Sequence, residues 1–149
     1  MTIGDTTLQS AIFVTPETTV AEAFETIDRA GCDGLLIEGD AGKIGVVEYG
    51  ELHRMVTRPD ADKSVRVAEF ALICPFETSL DTPVRDTLAR MRRYGLEIVP
   101  VYQSGHVTGV ATLTAITKAL RDELRGHMRE SGHMTGAQRV KVARRRSAK

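Results

Sequence analysis

Tryptophan is absent from this sequence of 149 residues, and phenylalanine and tyrosine together number seven. This scarcity of aromatic residues predicts a core filled mainly by aliphatic side chains, which a hydrophobic fraction of 42% is enough to supply. Cysteine is also scarce. Because Cys32 and Cys74 show no metal-ligand spacing in a chain with an adequate core, we expect buried, reduced thiols rather than a disulfide or a metal pair.

Long hydrophobic runs are absent as well. No apolar run approaches the length that a bilayer-spanning helix needs, and the sequence therefore predicts no membrane association through such a helix. Residues 1–5 lack a basic stretch followed by an apolar one, so no secretory signal is predicted. The expectation that follows is a cytoplasmic protein, with a length that favours one compact domain.

Motifs that mark common enzymes are missing too. The sequence contains no Gly-x-Ser-x-Gly elbow, no phosphate-binding loop and no His-Glu-x-x-His metal helix. Glu48 and Glu51 stand three residues apart and have the chemistry of an acid–base pair or of metal ligands. Two acids in the first turn of a helix are, however, common because they complement the helix dipole. We therefore predict no enzymatic activity, no catalytic residues and no metal site.

The net charge of zero hides an asymmetry. Residues 1–120 carry 11 Lys and Arg against 17 Asp and Glu, whereas residues 121–149 carry nine against three. The basic tail has no sustained apolar face, so disorder is the default expectation. Alternatives are contact with the acidic body, docking on an acidic protein, or nonspecific binding of nucleic acid through the run from Arg139 to Arg146. Without an aromatic residue in the tail, such nucleic-acid binding would be salt-sensitive.

What the chain does contain is an internal repeat. Sliding the sequence against itself by 64 residues, without a gap, aligns residues that are identical and core positions that match in kind. A single offset that holds this far indicates two similar structural units in tandem. The identical pairs include Thr18 with Thr82, Val20 with Val84, Arg29 with Arg93, Gly31 with Gly95, Gly45 with Gly109 and Val46 with Val110.

Each unit reads as β-α-β-β-α. The first has a strand at residues 12–14, a helix that starts at Thr18 or Thr19, and Gly31 as the left-handed residue that ends this helix. Glu22 completes a capping box if Thr19 is the N-cap. Two buried strands then follow at residues 35–37 and 44–47, and a second helix begins at Glu48.

The second unit repeats this order. Residues 67–72 read as a short helical lead-in, Thr82 as a helix cap, and Pro83 as the first helical residue. Gly95 closes this helix, and the last helix weakens at Gly126. The predicted boundaries are a first repeat at 1–58, a linker at 59–66, a second repeat at 67–124 and a flexible basic tail at 125–149.

Neither unit of about sixty residues buries both faces of its sheet alone. We therefore predict a mixed fold, α+β or α/β, in which the two sheets pack together about a pseudo-twofold axis. This packing creates two related crevices lined by strand ends and helix starts. Crevices between repeats are common places for ligands to bind.

The motifs now resemble a known family. The sequence Gly-Leu-Glu-Ile-Val-Pro-Val at residues 95–101, followed by Gly-Val-Ala-Thr at 109–112, resembles a tandem pair of CBS domains, also called a Bateman module. The resemblance covers roughly residues 8–122. It implies a regulatory module that binds AMP, ADP, ATP or S-adenosylmethionine between the repeats and signals to a partner protein. It also implies a homodimer formed through the helices.

The resemblance also implies where the ligand binds. The adenine would lie against the start of the first strand and the glycine-to-proline strand, and the ribose against a Gly-h-h-Thr/Ser-x-x-Asp motif in which h is apolar. In the second repeat the threonine of this motif is Thr112, but the acid is replaced by Ala115. In the first repeat the acid survives as Glu51, but Glu48 replaces the threonine. The implied ligand-binding residues are Thr15, Pro16, Gly34, Leu35, Glu48, Glu51, Ser79, Leu80, Leu96, Ile98, Pro100, Thr112 and Ala115.

Phosphate contacts are the open question at this site. Glu48 and Glu51 would repel a bare phosphate and favour a neutral nucleoside, a sulfonium or a metal-bridged phosphate. His53 and Arg54 are the phosphate candidates, against the alternative of a solvated helix face with intrahelical Glu–Arg pairing. The runner-up function is a ligand-free dimerisation or interaction module whose basic tail docks on nucleic acid or an acidic protein.

Overall fold

Each half of the described structure is built around a helix that ends at a glycine. The computed structural model describes residues 1–130. In the first half, α1 (Val20–Ala30) ends at Gly31, which adopts φ 66° and ψ 31°. In the second half, α3 (Val84–Tyr94) ends at Gly95, with φ 67° and ψ 32°. Both glycines lie in the left-handed region that side chains disfavour, and their predicted role as helix ends is confirmed.

The starts of these two helices differ. Thr19 is the N-cap of α1, and its hydroxyl accepts a hydrogen bond from the backbone N–H of Glu22, as predicted. In the second half, the prediction that Thr82 caps α3 is wrong, because Pro83 holds the N-cap position. The Thr82 hydroxyl instead accepts from the backbone N–H of Ser79 at 2.9 Å and so closes the preceding turn.

Two small sheets carry the strands. The strands are β1 (Phe13–Val14), β2 (Gly34–Glu38), β3 (Ile44–Glu48), β4 (Leu72–Ile73), β5 (Thr78–Ser79), β6 (Ile98–Gln103) and β7 (His106–Thr112), and the remaining α-helices are α2 (Tyr49–Thr57) and α4 (Leu113–Glu130). The first sheet has the order β1-β2-β3-β4 and the second β5-β6-β7. In each sheet the first pair is parallel and the β-hairpin after it is antiparallel. The predicted mixed fold with two repeated units is therefore confirmed.

The segments that lead into each repeat are exchanged between the halves. β4 adds to β3 of the first sheet, and Val67 is buried in the core of the first half. The sequence predicts residues 67–72 as a helical lead-in to the second repeat, but only Val67–Glu69 form a 3-10 turn. A helical pattern in the sequence cannot show that β3 has an unpaired edge. The end of this segment pairs with that edge as β4.

The N-terminal segment makes the reciprocal contact with the second half. The backbone N–H of Ile3 donates to the carbonyl of Thr82 at 2.9 Å, and the N–H of Val67 donates to the carbonyl of Thr18 at 2.8 Å. Both the donors and the acceptors of these two bonds are separated by 64 residues. Such a reciprocal exchange at the predicted offset is the arrangement expected of two units related by a pseudo-twofold axis.

Aliphatic side chains fill the core, as predicted. Every phenylalanine and tyrosine within residues 1–130 is half-buried or exposed. Cys32 and Cys74 are free and half-buried, and the Cys74 thiol donates to the carbonyl of Phe76 at 3.3 Å. Burial raises the pKa of the Cys74 thiol above its ordinary value. The core of the first half consists of Val20, Ala23, Ile27, Leu35, Ile37, Val47, Leu52 and Val67.

The chain divides into a compact unit of residues 1–116, which contains both sheets, and a second unit that begins at Thr117. Helix α4 continues through Gly126 to Glu130, beyond the point where the sequence predicts it to weaken. Within residues 1–130, no helix is both long and apolar enough to cross a membrane. The basic run from Arg139 to Arg146 lies outside the described residues.

Candidate functional site

The predicted ligand-binding strands β2 and β6 meet where the two sheets face each other. Gly34 is the first residue of β2, and Ile98 is the first residue of β6 and its equivalent in the 64-residue repeat. A Cβ added to Gly34 would lie only 2.3 Å from Ile98 Cδ1, so the two residues are in direct contact. Ile98 is fully buried. Its side chain fills the space in front of Gly34, at the centre of the predicted site.

Glu48 joins the two halves at the same place. Its carboxylate accepts hydrogen bonds from the backbone N–H groups of Glu97 and Ile98, the second at 3.3 Å. The sequence predicts Glu48 as a ligand-binding residue in the first turn of α2. The structure places it instead in the N-cap position before α2, half-buried, with one oxygen on the start of a strand in the other half. The carboxylate thus occupies two backbone N–H donors at the start of β6.

Burial raises the pKa of the Glu48 carboxyl above its ordinary value. The hydrogen bonds from Glu97 and Ile98 oppose this effect, whereas the negative charges of Glu97 and Glu51 add to it. Because the folded state holds the proton more tightly than the unfolded state, Glu48 contributes stability at low pH that is lost as the pH rises through its folded pKa.

A Glu48→Gln variant should expose this dependence. The amide oxygen keeps an acceptor for the two N–H groups, but its charge does not change with pH. We expect the unfolding free energy of the wild type, relative to the variant, to increase as the pH falls from neutral towards 4.5. Urea unfolding of both proteins across this range measures the difference. A difference that stays flat, or that falls on acidification, would contradict the raised pKa.

A second, uncharged clamp lies at the equivalent strand start of the first half. The side chain of Gln9 accepts from the backbone N–H of Asp33 at 3.0 Å and donates to the Asp33 carboxylate at 3.1 Å. The backbone of Gln9 is paired with Val110 of β7, so this residue also bridges the two halves. Sequence reasoning missed Gln9 because no motif marks a residue whose partner is 24 positions away. The start of each of the two strands is therefore capped by a side chain from a residue that also contacts the opposite sheet.

In the second repeat, two residues of the predicted ribose motif are hydrogen-bonded to each other. Thr112 is buried, and its hydroxyl accepts from the backbone N–H of Ala115 at 3.1 Å. This bond satisfies one of the free N–H groups in the first turn of α4. The Thr112 hydroxyl still has its proton to donate. Ala115 is half-buried and supplies no side-chain oxygen where the family pattern has an acid.

The turns after β1 and β5 are equivalent. In the first, the hydroxyls of Thr15 and Thr18 are 3.2 Å apart; in the second, those of Ser79 and Thr82 are 3.1 Å apart. Pro16 follows Thr15 and is exposed, whereas Leu80 follows Ser79 and is half-buried. These hydroxyls are occupied within their own turns, which holds both turns in the same shape.

The second of these turns borders a cavity of about 600 Å³. The cavity is also lined by Glu77, Asp81 and Tyr102, and no lysine or arginine is among its lining residues. Burial raises the pKa of the Tyr102 phenol, and the charge of Glu77 adds to the effect, so the hydroxyl keeps its proton at neutral pH. An uncharged or cationic group suits this lining better than a phosphate does. The sequence alone gives no sign of the two acids, which lie beside the predicted Ser79 and Leu80.

The phosphate candidates His53 and Arg54 lie on α2 and have partners within the protein. Arg54 forms an ion pair with Glu51 one turn earlier in α2, which is the intrahelical alternative that the sequence left open. The exposed His53 ring lies 5.7 Å from the ring of Tyr49 and 6.4 Å from that of Phe24. The structure therefore gives both candidates partners on the helix surface.

The remaining predicted residues are apolar and buried. Leu35 belongs to the core cluster of the first half, so its side chain packs away from Gly34 and the strand-start contacts. Leu96 and Pro100 flank Ile98 in sequence, and both are buried. Among the described residues, no group of three or more His, Cys, Asp and Glu side chains is placed to hold a metal ion.

Comparisons with known proteins agree with this architecture. A family model described as CBS domain matches residues 3–60 and 75–122. No curated protein sequence matches the chain. Among solved structures, the chain is similar to an uncharacterized conserved protein from Pyrococcus horikoshii, with 21% identity, a TM-score of 0.66 and coverage of 80% of this chain and 92% of that one.

Two similar structures contain nucleosides or nucleotides. One is the CBS domain pair of protein MJ0100 in complex with 5′-methylthioadenosine and S-adenosyl-L-methionine, with 18% identity, a TM-score of 0.67 and coverage of 83% of this chain and 98% of that one. The other is CBSX2 in complex with AMP, with 20% identity, a TM-score of 0.62 and coverage of 81% and 97%. At these identities the likeness shows the fold alone.

Proposed function

The chain belongs to the CBS domain family, and on this premise we propose that it is a regulatory module that senses an adenosine-containing ligand between its two repeats. The observation that supports this proposal is the pair of polar clamps at the strand starts. Glu48 accepts from two backbone N–H groups of the second repeat, and Gln9, whose backbone pairs with Val110 of the second sheet, accepts from the N–H of Asp33 in the first. A ligand that supplies an acceptor at one of these positions competes with a clamp and thereby changes how the halves pack.

The signal would arise from differential binding. A ligand shifts a two-state equilibrium only by the difference between its affinities for the two states. Here the states differ in whether the Glu48 carboxylate or the ligand occupies the N–H groups of Glu97 and Ile98. A protein partner that reads the relative position of the halves then responds to ligand occupancy. We propose no enzymatic step for this module.

The charge of the site favours one class of ligand. Four carboxyl side chains lie at the predicted residues or along the cavity beside them: Glu48, Glu51, Glu77 and Asp81. They disfavour the bare phosphates of AMP, ADP and ATP and favour a neutral nucleoside or a sulfonium such as S-adenosylmethionine. The MJ0100 structure contains both kinds of ligand. AMP, which is bound in CBSX2, serves as the competing candidate.

Calorimetric titration and thermal shift test the proposal directly. We expect S-adenosylmethionine or methylthioadenosine to raise the melting temperature, because a ligand bound only by the native state stabilises it by an amount that grows with the logarithm of its concentration over Kd. We expect a smaller shift with AMP or ATP. The absence of heat and of a melting shift with all four compounds would overturn the proposal.

Restoring the missing ribose acid should strengthen binding. Ala115→Asp places a carboxylate at the position where the family motif has one, and charge-assisted hydrogen bonds to ribose hydroxyls are worth about 1.5–3 kcal/mol. We expect about tenfold tighter binding of methylthioadenosine by titration. The matched control is Ala68→Asp, which adds the same charge at an exposed residue. Equal affinity of both variants for the ligand would show that the second repeat does not hold the ribose.

One observation favours a second candidate function. Ile98 fills the space before Gly34, and Glu48 occupies the adjacent donors, so this half of the cleft is closed by the protein's own side chains. A module closed in this way would act through dimerisation and through its basic tail on nucleic acid or an acidic protein. A gel-shift assay with and without residues 127–149 tests this alternative, since equal binding would exclude the tail.

The assembly remains a proposal of the same kind. We propose a cytoplasmic homodimer that signals to a protein partner, with no association through a membrane-spanning helix. Size-exclusion chromatography with light scattering measures the oligomeric state of the full chain. A monomer at the concentrations used for ligand titration would contradict the homodimer without affecting ligand sensing.

A further inference from the structure

Helices α1 and α3 occupy equivalent positions in the two repeats but carry opposite charge. α1 has three acids and one arginine, whereas α3 has four arginines and one acid. Wherever equivalent positions of the two helices differ in charge, the residue in α1 is the more negative one and the residue in α3 is the more positive one. The four differing pairs, related by the 64-residue offset, are Ala21 with Arg85, Glu25 with Ala89, Thr26 with Arg90 and Asp28 with Arg92.

Four of these charged residues lie on the surface. Glu25 and Asp28 of α1 are exposed, as are Arg85 and Arg92 of α3. Within residues 1–130, no ion pair joins any of the four to another residue. Within this part of the chain, the opposite charges of the two helices are therefore not neutralised by ion pairs.

Aromatic groups accompany both charged faces. Beside the acids of α1, the ring of Phe24 stacks on that of Tyr49 at 5.9 Å, and Tyr49 is 41% exposed. On α3, the guanidinium of Arg93 lies 5.6 Å from the Tyr94 ring, which is also largely exposed. The acidic face thus presents ring surface that a guanidinium can cover, and the basic face presents guanidinium groups.

We propose that a second copy of the chain docks head to tail, with α1 of one protomer on α3 of its partner. The inference rests on the homodimer proposed above and specifies its orientation. A twofold axis then creates two identical α1–α3 contacts, each between a helix of net charge −2 and one of net charge +3. The aromatic face of one copy meets the arginines of the other at both contacts.

The alternative orientation places equivalent helices of the two copies against each other. A head-to-head dimer of the same twofold symmetry sets α1 against α1 and α3 against α3, so acids face acids and arginines face arginines. Like charges facing each other across an interface raise its free energy and suppress that arrangement. Because the two helices have the same place and length in their repeats, shape alone does not select between the orientations. The opposite charges of α1 and α3 select the head-to-tail orientation.

Cysteine cross-linking separates the two orientations. Asp28→Cys and Arg92→Cys stand at equivalent positions and provide a matched pair, with the wild type, which keeps Cys32 and Cys74, as the background control. We expect a short bismaleimide to join position 28 to position 92 in a mixture of the two variants and to produce little cross-linking in either variant alone. Products that join 28 to 28 and 92 to 92 would overturn the orientation while leaving the homodimer standing.

Exchanging the charges of Asp28 and Arg92 tests whether their attraction stabilises the dimer. Arg92→Asp should weaken the dimer about fivefold to tenfold by analytical ultracentrifugation, since it removes an exposed attractive pair at each of the two contacts. Adding Asp28→Arg to this variant should restore the affinity to within about twofold of the wild type, because the pair is rebuilt with its signs exchanged. In the head-to-head dimer Arg92→Asp would instead place an acid opposite the arginines of the partner's α3, so that the dimer would not be weakened. An unchanged Kd for Arg92→Asp, or a double variant no tighter than Arg92→Asp alone, would overturn the proposal, and a monomeric wild type would overturn it together with the homodimer.

Discussion

Replacing Gly34 with alanine is expected to lower the free energy of unfolding by about 2–3 kcal/mol, although the change adds a single methyl group. The new Cβ would lie 2.3 Å from Ile98 Cδ1 and 2.7 Å from the backbone carbonyl oxygen of Val47. The isoleucine methyl can rotate away, but the carbonyl belongs to β3, which is paired with β2 along its length. The strands must therefore separate locally, which urea unfolding measures as a lower midpoint with an unchanged slope.

Gly50 provides the matched control for this substitution. It lies in α2, and an added Cβ would meet no atom within 4 Å. Alanine is a better helix former than glycine, so Gly50→Ala should be neutral or stabilising by up to about 1 kcal/mol. Similar losses for both variants would show that the loss at Gly34 does not come from the contacts that the added Cβ makes with Ile98 and Val47.

The parts of the fold that follow from local chemistry were predictable from the sequence. Gly31 and Gly95 end their helices in the left-handed conformation, which glycine adopts more readily than other residues. A glycine at the end of a helical pattern is therefore enough to predict each helix end. The 64-residue repeat carries the same information twice, which fixed the order of strands and helices in both halves. An aliphatic core follows directly from the composition.

The exchanged segments were not predictable in the same way. The segment that ends in β4 has a short helical pattern, and its strand forms only because β3 offers an unpaired edge from another part of the chain. Thr82 looks like a helix cap by residue type, but its hydroxyl has a competing backbone donor in Ser79. Both outcomes depend on partners that a local pattern does not contain.

The candidate site shows the same limit more strongly. Sequence reasoning placed Glu48 beside a ligand because of its motif position, whereas its carboxylate reaches Glu97 and Ile98, which are 49 and 50 residues away. The clamp from Gln9 to Asp33 has no sequence signature at all. The family motif thus located the strand starts that the clamps occupy, and the three-dimensional packing determined which side chains reach them.

Truncating Ile98 to alanine should have the largest effect of any single change at the centre of the molecule. The side chain is fully buried, and removing three of its carbons leaves a cavity between the halves. We expect a loss of about 3–4 kcal/mol in the free energy of unfolding, within the range for buried isoleucine and leucine truncations. Chemical denaturation measures this loss, and a loss below about 1 kcal/mol would contradict close packing at this contact.

Combining the two central substitutions tests whether the contact acts as a unit. In the Gly34→Ala/Ile98→Ala variant, the methyl group added at Gly34 enters the space that the isoleucine has left. The double variant should therefore be more stable than the sum of the two single losses predicts, with a coupling of about 1 kcal/mol or more. Strict additivity would show that the added alanine methyl is strained only against Val47 and not against Ile98 of the opposite half.

Because residues 34 and 98 are equivalent in the repeat, two copies of the second unit would set isoleucine against isoleucine and two copies of the first would set glycine against glycine. Only the tandem of two different repeats fills this centre with one large and one small residue, and the coupling energy measures how strongly that asymmetry holds the halves together.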